Sequence, residues 1–488
     1  MSSSSGLPPP GYTEPVGKGV SSAPPPMYSD QAPLIANEHG RRQGPPPAPP
    51  SLWKDVPFAV AFVLLLVAFV VFSAATWNRN FLNEHKHSEN DGQEKSSGSD
   101  LDPELLRKMG RIAAYCTGLG LLFAALWLQI CKQFPKQMIY IALITNVVIC
   151  FGIAILFFAY GIIIGGLIWL FFACISVLFY FFWRRRIPFA AQMLATTVGV
   201  VHEFPAMVGF SFLSLFALLT WVVMWVFGAS SAANINNAGL YVLCVFVFYW
   251  VAQVIKNVIH VTSAGTFATW YFFAGSAEFP ANPTVGAFKR ATTYSFGSVC
   301  FGSLIIAVIQ TVRFVLRSAR RANRNQFVVA CADCLLGCIE SLVQYFNVYA
   351  FTQVAVYGKG YREAASDTWD LFKSHGFDVI VNDDLIGSVL GFSSFVSGLM
   401  VALAAFAWGA YELGTSAHAL PYLIVLVIIC FFIGLIEAST VFEVVNSGVA
   451  AIMVCFCTAP DVLQQRQPAL YNRFRELYGR RIGFFTSG

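Results

Sequence analysis

Charge is what this sequence has least of. Only 12% of its 488 residues are Asp, Glu, Lys or Arg, about half the share found in soluble domains, while 57% are hydrophobic. That balance excludes a water-soluble globular chain of this length. Several uncharged windows reach the roughly 20 residues needed to cross a hydrocarbon core about 30 Å thick, which makes the chain an integral membrane protein. The first window follows a polar leader, so no cleaved signal peptide is expected. Catalytic signatures are missing too: there is no Walker A loop, no Gly-x-Ser-x-Gly elbow and no His-Glu-x-x-His pair. Of seven histidines, only His260 and His418 approach the apolar runs as potential bases. An enzyme is therefore not expected, nor is a cofactor, a metal or a nucleic-acid partner. None of the 12 cysteines lies between Asn78 and Gly110, the longest hydrophilic connection after the leader, so no disulfide framework is indicated there.

What is present falls into three parts. Residues 1–50 hold 13 of the 23 prolines and cannot bury a core, so a disordered leader is expected, with a docking role for a cytoplasmic partner as the functional alternative. Residues 51–460 form the membrane domain, and 461–488 a basic tail. Within the membrane domain, uncharged blocks between charged residues predict an all-α, polytopic bundle of about ten transmembrane helices. They are Val56–Thr76, Ile112–Ile130, two spans divided near Tyr160-Gly161, two flanking the turn-like patch Gly228–Gly239, Ala291–Val312, Gln326–Tyr357, Leu385–Tyr411, and a run from Leu420 past Phe442. The eighth is interrupted by Asp333 and Glu340. Ten spans place the basic leader, Arg184-Arg185-Arg186 and the basic tail on one side, so both termini are expected in the cytoplasm. The cluster Arg313, Arg317, Arg320, Arg321 and Arg324 contradicts this alternation. Its presence points either to a re-entrant or interfacial segment within 313–357 or to a hidden reversal around 256–277.

Polar side chains inside apolar runs are costly, by about 2.5 to 3.5 kcal/mol for charged groups on insertion scales, and mark candidate pathways. Tyr249, Gln253, Lys256 or Asn257, and His260 recur at three- and four-residue steps and share one helical face. The patch Thr262–Thr266 follows, where a helix could break or a neighbour approach closely, and then Trp270 and Tyr271. The alternative is a cytoplasmic helix end with interfacial aromatics. Glu340, Gln344 and Asn347 share a second face beside Tyr345 and Tyr349; the alternative there is an interfacial helix whose acids meet water. Glu437 and Glu443, six apart, point about 120° apart and are no carboxylate pair. Either they are buried acids, or the tenth span ends at Glu437 and a polar-faced helix continues on the cytoplasmic side. Gly161-xxx-Gly165 and Gly387-xxx-Gly391 suit close helix contacts.

Three blocks also resemble the choline transporter-like family: HVTSAGTFATWYF from His260, YFNVYAFTQVAVYGKGYREAASDTWDLF from Tyr345, and GVAAIMVCFCTAPDVLQQRQPALYNRF from Gly448. Their order matches, and the short first loop with its Pro-rich leader is most similar to the fungal branch, the pH nine sensitive proteins. The chain departs from the family where Tyr361-Arg362 replaces the usual Phe-Cys and Asn446-Ser447 replaces Val-Asp. Animal members carry a long Cys-rich first loop, which Trp77–Gly110 is not. The resemblance implies a plasma-membrane transporter of choline or a related organic cation. A quaternary ammonium donates no hydrogen bond, so aromatic faces must hold it, each worth about 0.5 to 2 kcal/mol. The candidate site is Tyr249, Trp250, Gln253, Asn257, His260, Trp270, Tyr271, Glu340, Gln344, Asn347 and Tyr349, with Glu340 as the acid. The expected partners are the lipid bilayer and a small organic cation such as choline. A scaffold or sensor without transport activity is the alternative.

Overall fold

In lipid, every backbone N–H and C=O must be satisfied within the protein, which leaves helices as the economical way for these uncharged runs to cross. The computed structural model describes residues 35–36, 42–43, 53–90, 103–235, 237–320, 326–414 and 419–479. Two short strands, β1 (Ile35–Ala36) and β2 (Arg42–Gln43), pair antiparallel. All other regular structure is helical: α1 (Val56–Asn90), α2 (Pro103–Gln133), α3 (Pro135–Ala159), α4 (Ile163–Trp183), α5 (Ile187–Glu203), α6 (Ala206–Asn234), α7 (Ala238–Phe273), α8 (Pro283–Thr292), α9 (Phe296–Arg320), α10 (Gln326–Tyr357), α11 (Tyr361–Leu413), α12 (Leu420–Thr458), α13 (Pro460–Arg466) and α14 (Pro468–Gly479). Ten of these are long and apolar enough to cross a membrane, in the places the charged residues predicted. The expected disorder of the leader concerns residues 1–50, nearly all of which lie outside the described residues.

Local chemistry sets the helix ends. Gly161 adopts φ +74 between α3 and α4, a left-handed turn that a side chain disfavours. Proline opens α3, α5, α8 and α12, where its missing N–H costs nothing. The Asn237 side chain accepts from the Leu240 N–H at 3.1 Å and caps α7. The patch read as a turn over Gly228–Gly239 is mostly helix, since α6 continues to Asn234. Its alanines and serines propagate a helix readily, and only the asparagine cluster breaks it.

Three expectations about reversals are corrected. α7 runs unbroken through Thr262–Thr266 to Phe273, so no reversal lies in 256–273. α9 and α10 are both full-length helices, so 313–357 is not re-entrant. α12 does continue as a helix past Glu437 to Thr458, but that half is buried in apolar core rather than polar-faced. The sequence also leaves 187–203 unassigned, whereas α5 there is buried among α2, α3, α11, α12 and α14.

Lipid-facing surfaces carry large apolar side chains such as Ile163, Leu342 and Phe216. The main core joins α5, the second half of α7, α10, α11 and the second half of α12. A second core joins α1, α6, α7 and α9, and a third α2, α11 and α12. Asp55 fixes one end of the bundle. Its carboxylate accepts from Ser298 Oγ at 2.6 Å and from the backbone N–H of Tyr361 at 2.8 Å, so it ties the start of α1 to the starts of α9 and α11. Lys54 N–H donates to the Tyr294 carbonyl at 3.0 Å beside it.

Of the glycines the spacing suggested, Gly165 makes a close helix contact, since a Cβ there would lie 2.7 Å from Phe157 Cδ1 of α3, while Gly161, Gly387 and Gly391 do not. A Cβ on Gly387 or Gly391 would meet nothing within 4 Å, whereas one on Gly434 would lie 2.6 Å from Val401 Cγ2 on α11. Gly434→Val is therefore expected to destabilise the α11–α12 contact by about 1 to 3 kcal/mol. Gly152→Val, where nothing lies within 4 Å, should be nearly silent, and thermal midpoints of the two variants in detergent compare them.

Candidate functional site

The predicted polar faces meet along α9. At one end Arg313 donates to Asp333 at 3.1 Å and to Glu340, and Arg317 reaches Asp333 at 3.0 Å. Glu340 also accepts from Gln310 Nε2 at 2.9 Å and Gln344 Nε2 at 3.1 Å, and Gln253 Nε2 donates to Gln310 at 3.3 Å. Deeper, Asn257 donates to Ser303 Oγ at 2.9 Å. Asn347 donates to the Gly302 carbonyl at 3.0 Å and accepts from the Tyr361 hydroxyl. Ser298 and Asp55 close the line. From Ser298 to Arg317 is 19 residues, about 28 Å of helix, close to a full bilayer. The basic cluster that defied alternation is thus answered, at Arg313 and Arg317, by the two acids that made the eighth span doubtful.

His260 belongs to a neighbouring junction. It is buried, with Nδ1 2.8 Å from Ser447 Oγ and Nε2 2.9 Å from the Val348 carbonyl and 3.2 Å from Thr352 Oγ1. The Ser447 hydroxyl also lies 2.9 Å from the Glu443 carbonyl and can donate either there or to Nδ1, so the tautomer of His260 sets which ring nitrogen donates. The His260 segment is not a broken helix but the last, buried stretch of α7, which ends at Phe273. Trp270 and Tyr271 are buried rather than interfacial, and the Tyr271 hydroxyl donates to the Ala459 carbonyl at 3.1 Å. The small residues admit close neighbours instead: a Cβ on Gly265 would lie 3.2 Å from Ala287 Cβ of α8. Trp250 is also committed, donating to the Cys300 carbonyl at 3.0 Å with its ring 5.4 Å from Phe62. Tyr249 packs edge-on to Phe248.

Tyr349 stands apart. Its hydroxyl donates to Asp383 of α11. Its ring lies 5.5 Å from Tyr345 and 5.2 Å from Phe372, and Tyr345 stacks on Phe372 at 5.7 Å. The buried Tyr345 hydroxyl faces Tyr349 and Asp383 but makes no hydrogen bond of normal geometry among the described residues. Among the described residues no Lys or Arg pairs with Asp383. This cluster of three rings and one carboxylate needs α11 to bend. Tyr361 and Asp383 are about 33 Å apart on a straight helix, yet they touch Asn347 and Tyr349, two residues apart on α10. Phe372 and Asp383 escaped the sequence reading because VNDDLIG looks like a loop between spans. Glu437 is a separate buried acid: its Oε2 has no hydrogen-bond partner among the described residues, and it packs against Gly120 of α2. Glu443 instead pairs with Lys256 at 3.7 Å.

A family model described as plasma-membrane choline transporter matches residues 167–461, a stretch that contains α5 to α12 and every candidate residue above. The chain belongs to the choline transporter-like family. It is 30% identical over 471 residues to a CTL-like protein of Dictyostelium discoideum, covering 94% of this chain and 81% of that one. Similarity to Protein PNS1 of Cryptococcus neoformans is also 30%, covering 93% and 87%, and to Protein PNS1 of Saccharomyces cerevisiae 29%, covering 87% and 83%. The fungal likeness read from the leader and first loop therefore holds, alongside an amoebal relative at the same level. Membership in the choline transporter-like family makes this a multi-pass membrane protein of transporter type.

The saturation of the α9 seam gives a test within this family fold. Arg313→Gln leaves Glu340 without its cation and is expected to cost about 3 kcal/mol, much of which the double variant Arg313→Gln/Glu340→Gln regains. Thermal unfolding in detergent of the two variants measures the difference.

Proposed function

We propose that the protein moves choline or a related organic cation across the plasma membrane, and that the cation rests against Tyr345, Tyr349 and Phe372 beside Asp383. The observation that carries this reading is unspent valence. A bound cation needs a negative charge not already neutralised and ring faces to replace its water. Glu340, the acid the sequence favoured, is held by Arg313, two glutamines and a shared arginine–aspartate pair. Asp383 has the Tyr349 hydroxyl and sits among three aromatic rings. His260, Gln253, Asn257 and Asn347 then serve as the hydrogen-bonded frame that positions α10, and Trp270 and Tyr271 as its packing.

Orientation follows from charge. The end of the bundle that carries Lys54, Lys132, Lys136, Arg184, Arg185, Lys289, Lys359 and Arg473 is assigned to the cytoplasm. Arg313 and Arg317 at the other end lie within α9 and pair with Asp333 and Glu340 of α10 rather than standing in a connecting loop. Both termini are then cytoplasmic.

Uptake of labelled choline into proteoliposomes is the measurement. Asp383→Asn is expected to reduce uptake more than tenfold, and Tyr345→Leu to raise the half-saturating choline concentration about 2- to 30-fold, the range of one cation–π contact. Arg313→Gln/Glu340→Gln should retain uptake. Full uptake by Asp383→Asn would remove this site, and a wild-type protein that neither binds nor moves choline would leave the scaffold or sensor reading in its place.

A further inference from the structure

The tail contains a feature that cation transport does not use. α14 is amphipathic and its apolar side is fixed to the bundle: Phe474 is fully buried, with ring centroids 5.5 Å from Phe189 of α5 and 5.3 Å from Phe456 of α12, and Tyr471 is buried beside it. Its other side forms one wall of a cleft of about 410 Å³, lined by Lys136 at the start of α3, Pro188 at the start of α5, and Ala469, Asn472, Arg473 and Glu476 of α14. That volume falls within the range of small-ligand sites. Because α14 is anchored through Phe474, the walls are set before any ligand arrives.

Both cations of the lining are exposed, and Lys132, Arg184 and Arg185, a few residues away in sequence, are exposed as well. The cleft lies where the chain leaves the hydrocarbon. The apolar run of α4 ends at Trp183, stacked 4.8 Å from Phe179, and the Arg184 guanidinium sits 5.6 Å over the Phe181 ring. Exposed Phe134 marks the same level at the α2–α3 corner. Aromatic rings with arginines mark the headgroup layer of a bilayer, and basic pockets between helices at that level suit anionic lipid headgroups. The lining has more to offer than positive charge: the Asn472 amide donates, and the Glu476 carboxylate has several acceptor sites for hydroxyl protons. A bare phosphate has no hydroxyl-bearing ring to use them; a polyol phosphate does.

We propose that this cleft binds the phosphorylated polyol headgroup of an anionic phospholipid, with Lys136 and Arg473 on the phosphate and Asn472 and Glu476 on the hydroxyls. None of its lining residues belongs to α7, α9, α10 or α11, so the site is separate from the cation site and stands without it. An occupied cleft joins the tail helix to the start of α3 through the lipid.

Native mass spectrometry of the purified full chain, with phosphatidylinositol 4-phosphate or phosphatidylcholine added, tests this. Selective binding of the phosphoinositide is expected. Lys136→Gln/Arg473→Gln should weaken it about 25-fold, at about fivefold per cation near a membrane surface. Ala469→Glu, which removes no cation, should also weaken it, and both variants should keep the wild-type thermal midpoint. Unchanged phosphoinositide affinity in both variants, or equally tight phosphatidylcholine, would overturn the proposal. Equal affinity for the water-soluble inositol phosphate would overturn the bilayer as its source.

Discussion

Arg313 and its two carboxylates embody the constraint on which the rest of this structure depends. A charge near hydrocarbon is tolerable only when its partners are inside the protein, and α9 can carry Arg313 because α10 supplies Asp333 and Glu340. That pairing fixes the register of α9 against α10. The register then brings Gln310 to Gln253, Ser303 to Asn257 and Gly302 to Asn347. His260 extends the same logic to α12 through Ser447. The seam is a set of complementary hydrogen-bonding groups that specify one packing among many apolar ones.

The proposed cation site must do the opposite and hold capacity in reserve. The bend in α11 is what makes this possible, since it returns the helix to α10 and delivers Phe372 and Asp383 to a single turn. The cluster borders the main core, where Tyr349 is fully buried. Rigid surroundings and an uncommitted centre are compatible because the rigidity comes from residues whose hydrogen bonds are complete.

Much of the architecture was legible in the sequence, because charged residues punctuate membrane spans for the same energetic reason that they are rare within them. Most span bounds could be placed this way, while the excess length of an uncharged run placed the Tyr160-Gly161 turn and a polar patch divided the fifth span from the sixth. The polar faces of α7 and α10 were visible as three- and four-residue recurrences, but periodicity reports only that a face is polar. It does not report that Arg313 answers Glu340 across a helix pair while Asp383, among the described residues, has a tyrosine hydroxyl and no cation. Asp55 was likewise invisible, since a carboxylate beside a lysine at a helix start reads as ordinary solvated charge. α5 was missed because a 17-residue helix with Gln192 and His202 lies below the length of a span.

Asp55 has a mechanical meaning. The leader does not hang from a slack hinge, because its last residues are pinned to α9 and α11 by the Asp55 carboxylate and the Lys54 amide. Tension applied to the leader is therefore transmitted at Trp53–Asp55 to the start of the bent helix that carries Asp383. A tag or fusion therefore leaves the clamp intact only if it is joined upstream of Trp53.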